Sequence, residues 1–342
     1  MVLTSQPPAT AAARDEFGAG AVLQRIRGTV RHEARGGGYH VEFQALGTRC
    51  RLTLTGPAPL ASNVSAAALQ WVAAFEAKYS RFLPGSLISR INAAAGRHPV
   101  EIDPETERIL GLCQELHFLS RGIFDPTALP LLQLWNWKAT PPVIPSDAQI
   151  QAARERMGWR EVRRTPGQVF LPRPGMGIDL GGMGKEYAVD QVAQLARQCG
   201  LAGALVDFGA DIRAFGTPPD GRPGWHVGLE DPQNPGTCWR GLAVRDAAVA
   251  SSGDYHRRFE LNGVRYGHIV DPRTGRPVAN GIRAVSVLAP SCTQAGLLST
   301  SAFVLGPDEG IRLLDATAGV AGAIITETQT LCSRRFHEHV AS

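Results

Sequence analysis

Gly177-Ile178-Asp179-Leu180-Gly181-Gly182-Met183-Gly184-Lys185-Glu186-Tyr187-Ala188-Val189-Asp190 decides how this chain is read. A short apolar run ends in paired glycines, and helical spacing begins directly behind them. Glycines let a ligand come close to the backbone, unpaired N–H groups at a helix start attract phosphate, and Lys185 adds a positive charge. An ordinary turn before a helix has the same look. The segment is not a P-loop, because G-x-x-x-x-G-K-[ST] is missing, and it is not G-x-G-x-x-G either.

Downstream, a helix over Gly184 to Cys199 stops at Gly200, and Ala204 to Asp207 starts a strand. Trp225 to Leu229, Gly241 to Val249, Arg265 to Val270, Ala284 to Ala289 and Gly322 to Thr326 read as further strands, with a helix over Thr293 to Leu305. Upstream, Val41, Phe43 and Ala45 alternate with polar neighbours, as do Cys50, Leu52 and Leu54, so a hairpin bends around Gly47-Thr48. Helices follow over Ala66 to Phe82, around Ile88 and Ile91, over Thr106 to Ser120, and over Ser146 to Met157 with Ser146 as N-cap. Helices and strands interleave irregularly, without a βαβ period or a repeat. That pattern predicts an α+β fold with its ligand between two lobes. Residues 1–38, rich in Ala, Pro, Gly and Arg, read as a flexible leader, which leaves 39–342 as one domain.

A net charge of +4 without a Lys/Arg block argues against nucleic acid as the main partner, yet it suits an anionic small molecule. The six cysteines lie far apart with no C-x-x-C pair, so neither a zinc site nor a disulfide framework is expected. Apolar runs are too short for a membrane span. Met1 to Phe17 shows no basic segment ahead of an apolar one and no lipobox cysteine, and a cytoplasmic location is the expectation.

Three more segments carry chemistry. Leu205-Val206-Asp207-Phe208-Gly209-Ala210-Asp211-Ile212-Arg213 and Ala250-Ser251-Ser252-Gly253-Asp254-Tyr255 each end an apolar run in a Gly bend with carboxylate or hydroxyl neighbours. Such bends hold ribose hydroxyls or are plain turns. Tyr266-Gly267-His268-Ile269-Val270-Asp271-Pro272-Arg273-Thr274-Gly275-Arg276-Pro277 sets a His on an apolar strand before a turn containing Asp271 and Thr274. A His so placed is a hydrogen-bonded core residue or a proton acceptor.

In this order the segments resemble the ApbE family of flavin transferases. Ala45-Leu46-Gly47-Thr48, Tyr79-Ser80-Arg81-Phe82 through Ser89-Arg90-Ile91-Asn92, Phe124-Asp125-Pro126-Thr127 through Leu134-Trp135, and Leu298-Ser299-Thr300 through Gly306 complete the series. The resemblance implies a two-lobed α+β fold of mixed or antiparallel sheets with flanking helices. It further implies FAD in the cleft with Mg²⁺ on its pyrophosphate. FMN then passes to a Thr or Ser hydroxyl in a D-x-x-[ST]-G-[AS]-T-like segment of a separate flavoprotein, and AMP leaves. Such phosphoryl transfer needs charge neutralisation, an aligned hydroxyl and a proton acceptor. By the same resemblance His268 is the base or hydroxyl-orienting group, Thr300 and the Gly184 carbonyl are metal ligands, and Phe82 contacts the flavin nucleotide. Asp179, Gly181, Gly182, Lys185, Asp207, Gly209, Ser252, Gly253, Asp254, Asp271 and Thr274 complete the nucleotide site.

The chain departs from the family pattern at the metal site. It reads Gly296-Leu297-Leu298-Ser299-Thr300 where D-A-L-[AS]-T is usual, which removes a hard, charged ligand. Glu186 stands where a Gly usually follows the Lys, and Leu87 occupies the usual Ser-Glu position. Glu186 is either a solvated helix residue or a substitute anionic ligand. Two rival functions stay open, an FAD pyrophosphatase passing FMN to water and a flavin-binding protein without catalysis. No acceptor lies within the chain, since Asp315-Ala316-Thr317-Ala318-Gly319-Val320-Ala321 has alanine at the acceptor position.

Overall fold

Period-two alternation sends Val41, Phe43, Ala45, Cys50, Leu52 and Leu54 to one buried face of a hairpin, Gly38–Ala45 with Thr48–Thr55. The hairpin turns through Leu46 and Gly47, both at positive φ (52° and 71°), as a tight two-residue hairpin turn demands. These strands belong to a computed structural model that describes residues 16–341. Among the described residues they sit in a nine-stranded sheet. Its order is Arg31–Arg35, Gly38–Ala45, Thr48–Thr55, Gly203–Phe208, Asp211–Gly216, Ala247–Gly253, Ile282–Ala289, Ala321–Thr326, Thr330–Cys332. Every neighbouring pair is antiparallel.

The helices are α1 (Ala19–Arg27), α2 (Ala58–Tyr79), α3 (Leu87–Ala93), α4 (Pro104–Leu119), α5 (Leu129–Leu134), α6 (Asp147–Arg154), α7 (Gly184–Gln198), α8 (Cys292–Leu305) and α9 (Pro307–Ala316). Those read from periodicity are present, and Ser146 starts α6 with a full capping box to Gln149. On one side of the sheet α2 and α7 cover a large core that includes Phe43, Val72, Val192 and Phe208. There α8 and α9 cover a smaller one with Val285, Phe303 and Leu314. The opposite side carries an antiparallel ribbon, Trp225–Glu230 with Cys238–Val244, which buries Val227, Leu242 and Val249. The fold is α+β, with two helix-side cores standing on one continuous antiparallel sheet. Among the described residues no helix is long and apolar enough to cross a membrane, and all six cysteines are free.

Three expectations change. The part of the leader that is described, 16–38, is folded. Val22 and Ile26, four residues apart on α1, are buried against α2, and Arg25 pairs with Glu76 at 2.8 Å. Residues 1–15 lie outside the described residues. The run from Gly241 to Val249 is two strands in different sheets, broken at Arg245-Asp246, where Asp246 takes φ 48°. An acidic residue tolerates that left-handed conformation, and the apolar residues on either side masked the turn. The strand expected over Arg265 to Val270 ends at Gly267 and resumes as the short pair Val270–Asp271 with Arg276–Pro277.

One carboxylate joins the two cores. Asp190 of α7 accepts from the backbone N–H groups of Cys292 and Thr293 and from the Thr293 hydroxyl, each at 2.9 Å. It also pairs with Arg213 at 2.5 Å. The first N–H groups of α8 have no partner within their own helix, and a negative charge there also opposes the helix dipole. Asp190→Ala should therefore lower stability by about 2–3 kcal/mol, with Asp190→Asn losing less. Urea unfolding would measure this, and an Ala variant within about 0.5 kcal/mol of the parent would show the cap to be dispensable.

Candidate functional site

The floor of the site is built by α7 and α8, which run antiparallel. Asp190 meets the start of α8, and Glu186, one turn earlier on α7, lies against Gly296, one turn further along α8. A further turn along α8 leads to Thr300, while Gly184 opens α7 two residues before Glu186. The spacing of four on α8 sets Gly296 and Thr300 on one face of that helix.

Glu186 is where the site differs most from expectation. A Cβ added at Gly296 would stand 2.7 Å from Glu186 Cγ and 3.1 Å from its Oε1. The Glu186 side chain therefore fills the volume that any side chain at 296 would need. It is only 8% exposed, and its Oε2 has no hydrogen-bond partner among the described residues. Burial, reinforced by the Asp211 charge, pushes its pKa up to about 7. The solvated-helix reading of Glu186 is overturned. A carboxylate oxygen left without a partner is a donor type suited to a hard cation.

Lys185 donates to Asp211, which is buried on the Asp211–Gly216 strand. Burial alone would lower the lysine pKa, but the Asp211 and Glu186 carboxylates outweigh it and hold the ammonium charged. The positive charge expected for phosphate is thus already committed to a protein carboxylate. Ser252, at the end of its strand, bonds through Oγ to Ser299 Oγ at 2.8 Å and to Thr300 Oγ1 at 2.9 Å. Sheet and α8 are joined at the hydroxyl expected to meet the metal.

His268 follows the hairpin Arg258–Leu261 with Val264–Gly267, and its N–H donates to the Arg257 carbonyl at 3.0 Å. The hairpin is anchored by stacking. Phe259 lies on Tyr266 and Tyr266 on Trp135, with centroids 5.0 and 6.1 Å apart. Trp135 in turn donates from Nε1 to the Gly275 carbonyl at 2.8 Å. His268 Nδ1 is buried without a partner among the described residues. Burial and, after it, the Arg257 charge pull the imidazole pKa down to about 4. The ring is neutral at pH 7 and able to accept a proton.

The other expected residues divide between walls and scaffolding. Asp179 accepts from Arg81 Nε and from the Gly181 N–H, both at 2.6 Å. That pins Arg81 over one face of Phe82, at 4.1 Å from the ring centroid, and leaves Phe82 76% exposed. Gly181 and Gly182 are exposed just ahead of α7, whose cap position, Met183, supplies no side-chain bond. Asp254 is buried between Arg265 at 3.3 Å and Arg283 at 3.5 Å. A Cβ at Gly253 would stand 2.6 Å from the Tyr255 ring. Asp271 is held by Arg273, and the Thr274 N–H closes the turn on the Asp271 carbonyl at 3.2 Å. These acidic side chains shape the His268 loop.

Asp207 stands apart. It shares the ribbon-side face with Leu205, pairs with Arg51 at 2.6 Å, and lines a cavity of about 790 Å³ there. Gly209 closes the neighbouring turn at φ 68°, with Thr48 Oγ1 only 2.3 Å from where a Cβ would sit. Sequence reading missed Asp190 as a helix cap and Arg257 as the charge beside His268. The signal for Asp190 was its place four residues after Glu186, on the same helix face.

Known proteins share this arrangement of elements. The sequence model of the ApbE family matches residues 46–325. An FAD:protein FMN transferase of Treponema pallidum is 33% identical over 302 residues, 82% of this chain and 82% of its own. One from Vibrio cholerae is 32% identical over 240 residues, 69% of this chain and 72% of its own. The crystal structure of the ApbE protein from Thermotoga maritima superimposes with a TM-score of 0.80 at 30% identity, covering 89% of this chain and 100% of that one. The flavin transferase ApbE from Vibrio cholerae gives 0.78 at 26% identity, covering 91% and 99%. Matched across most of its length in sequence and in fold, this chain belongs to the ApbE family.

Proposed function

We propose that this protein is an FAD:protein FMN transferase acting on a Thr or Ser hydroxyl of a separate flavoprotein, in a D-x-x-[ST]-G-[AS]-T-like segment. The observation that carries the reading is the exchange at 186 and 296. The carboxylate missing from α8 is replaced by one from α7 that fills the same volume. A protein that only bound flavin would have no use for a buried carboxylate with an unpartnered oxygen at this place on α7. Six free cysteines suit a reducing compartment, in keeping with a cytoplasmic enzyme.

In this reading Glu186, the Thr300 hydroxyl and the Gly184 carbonyl would hold Mg²⁺. When bound there, the ion would supply positive charge against the FAD diphosphate. The open Gly181-Gly182 turn and the start of α7 receive phosphate oxygens, and Phe82 offers its free ring face to the nucleotide. The acceptor oxygen bonds to the FMN phosphorus as the bond from that phosphorus to the AMP phosphate oxygen breaks, and the electron pair leaves with AMP. His268, neutral and with a free Nδ1, takes the hydroxyl proton.

The direct test incubates the protein with FAD, Mg²⁺ and a flavoprotein bearing the acceptor segment. The expected result is a mass gain of one FMN on the acceptor, matched by AMP. AMP and FMN appearing without acceptor gain would make it a pyrophosphatase instead.

The exchange itself is tested by moving the carboxylate. Gly296→Asp alone should impair folding and transfer, because its side chain collides with Glu186. Glu186→Gly combined with Gly296→Asp should recover Mg²⁺-dependent transfer to within about tenfold of the parent, whereas Glu186→Gln alone should lose roughly 10²-fold or more. Mg²⁺ calorimetry with FAD bound gives the second readout. Parental metal affinity in Glu186→Gln would remove Glu186 from the site.

His268→Ala should bind FAD within about twofold of the parent while transfer slows roughly 10²–10⁴-fold. NMR of the ring nitrogens in the parent should show a midpoint near 4. The neutral form then persists as pH falls through the ordinary histidine range. An ordinary midpoint, or parental transfer by the Ala variant, would make His268 a structural residue.

A further inference from the structure

The positive charges around the site are almost all spent within the protein. Lys185 is on Asp211, Arg213 on Asp190, Arg265 and Arg283 on Asp254, and Arg273 on Asp271. Arg258 pairs with Glu260 and donates to the Tyr255 carbonyl at 2.7 Å. Arg257 differs from all of these. Its backbone carbonyl holds the His268 N–H at 3.0 Å, continuing the ladder that pairs Arg258 with Gly267. Its side chain is exposed and carries no ion pair or hydrogen bond among the described residues. The loop that bears it is fixed, since Tyr255 and His256 both bond to Glu230 on the ribbon, at 3.0 and 2.8 Å. The Arg257 charge disfavours protonation of both His268 and Asp211.

We propose that Arg257 is a catalytic residue whose guanidinium binds the diphosphate of FAD, on the oxygens that leave with AMP. This rests on the transferase reading given above. Breaking the bond between the two phosphates puts the electron pair on an AMP phosphate oxygen. A planar fork of N–H donors beside the proton acceptor meets that charge as it develops. Lys185 does not offer this, because its ammonium is held by a buried carboxylate. Arg257, left without a carboxylate of its own, is the cation kept for substrate.

Arg257→Gln should weaken FAD binding and lower kcat/KM for FAD about 10- to 100-fold, while riboflavin, which has no phosphate, binds as to the parent. Arg257→Lys should recover part of the loss, since it keeps the charge without the fork. The His268 midpoint should move upward in Arg257→Gln when read by ring-nitrogen NMR in the absence of FAD. Parental kcat/KM in Arg257→Gln would overturn the proposal, as would equal losses of FAD and riboflavin binding, or an unmoved His268 midpoint. If the parent itself transfers no FMN, the transferase reading falls, and the comparison of FAD with riboflavin binding still judges Arg257 on its own.

Discussion

The Asp190 carboxylate fixes how the helix layer meets itself and the sheet. A helix start presents N–H groups that need acceptors, and for the first turn of α8 two of them are met by a side chain from a different helix. The same carboxylate pairs with Arg213 from the sheet. Three elements are therefore locked at one point in both position and register. Because α7 and α8 are antiparallel there, helical spacing alone determines that Glu186 faces Gly296. Moving the Asp190 contact by one residue would turn Glu186 away from that position.

Around that lock the protein gathers charge in a poorly solvated space. Lys185 and Asp211 compensate each other, which a buried pair requires if it is to persist. Glu186 has no such full compensation, and an unpaired carboxylate oxygen is costly away from water. Such groups are few in native proteins, and each has a specific structural or chemical reason. His268 Nδ1 is a second unpartnered buried atom, and the Arg257 charge disfavours protonation of its ring. Both unpartnered atoms, Glu186 Oε2 and His268 Nδ1, are buried polar groups of opposite character, an acid and a base.

The exchange between positions 186 and 296 is a matter of volume as much as of charge. Glycine at 296 leaves a gap, and a Glu reaching across from α7 occupies it, so the local packing stays dense. Read singly, each substitution looks like damage to a metal site. Read together, they are one packing unit, in which the glycine on α8 makes room for the glutamate on α7.

The sequence by itself determined the α+β class, the Gly47 hairpin and the helices whose apolar spacing was clear, because backbone periodicity is local and needs no partner. Ordered motifs also located the His268, Ser252 and Thr300 segments. Tertiary structure alone decided the rest. Folding of α1 was invisible because its short apolar stripe gains meaning only against α2. The break at Asp246 was hidden because two apolar strands flank a turn without leaving any mark in composition. Asp207 faces the ribbon side, since alternation sets it with Leu205 and opposite Val206. Above all, the burial of Glu186 depends on the absence of a side chain on a different helix. No local pattern records a contact between residues so distant in the chain, and only the antiparallel packing of α7 on α8 creates it.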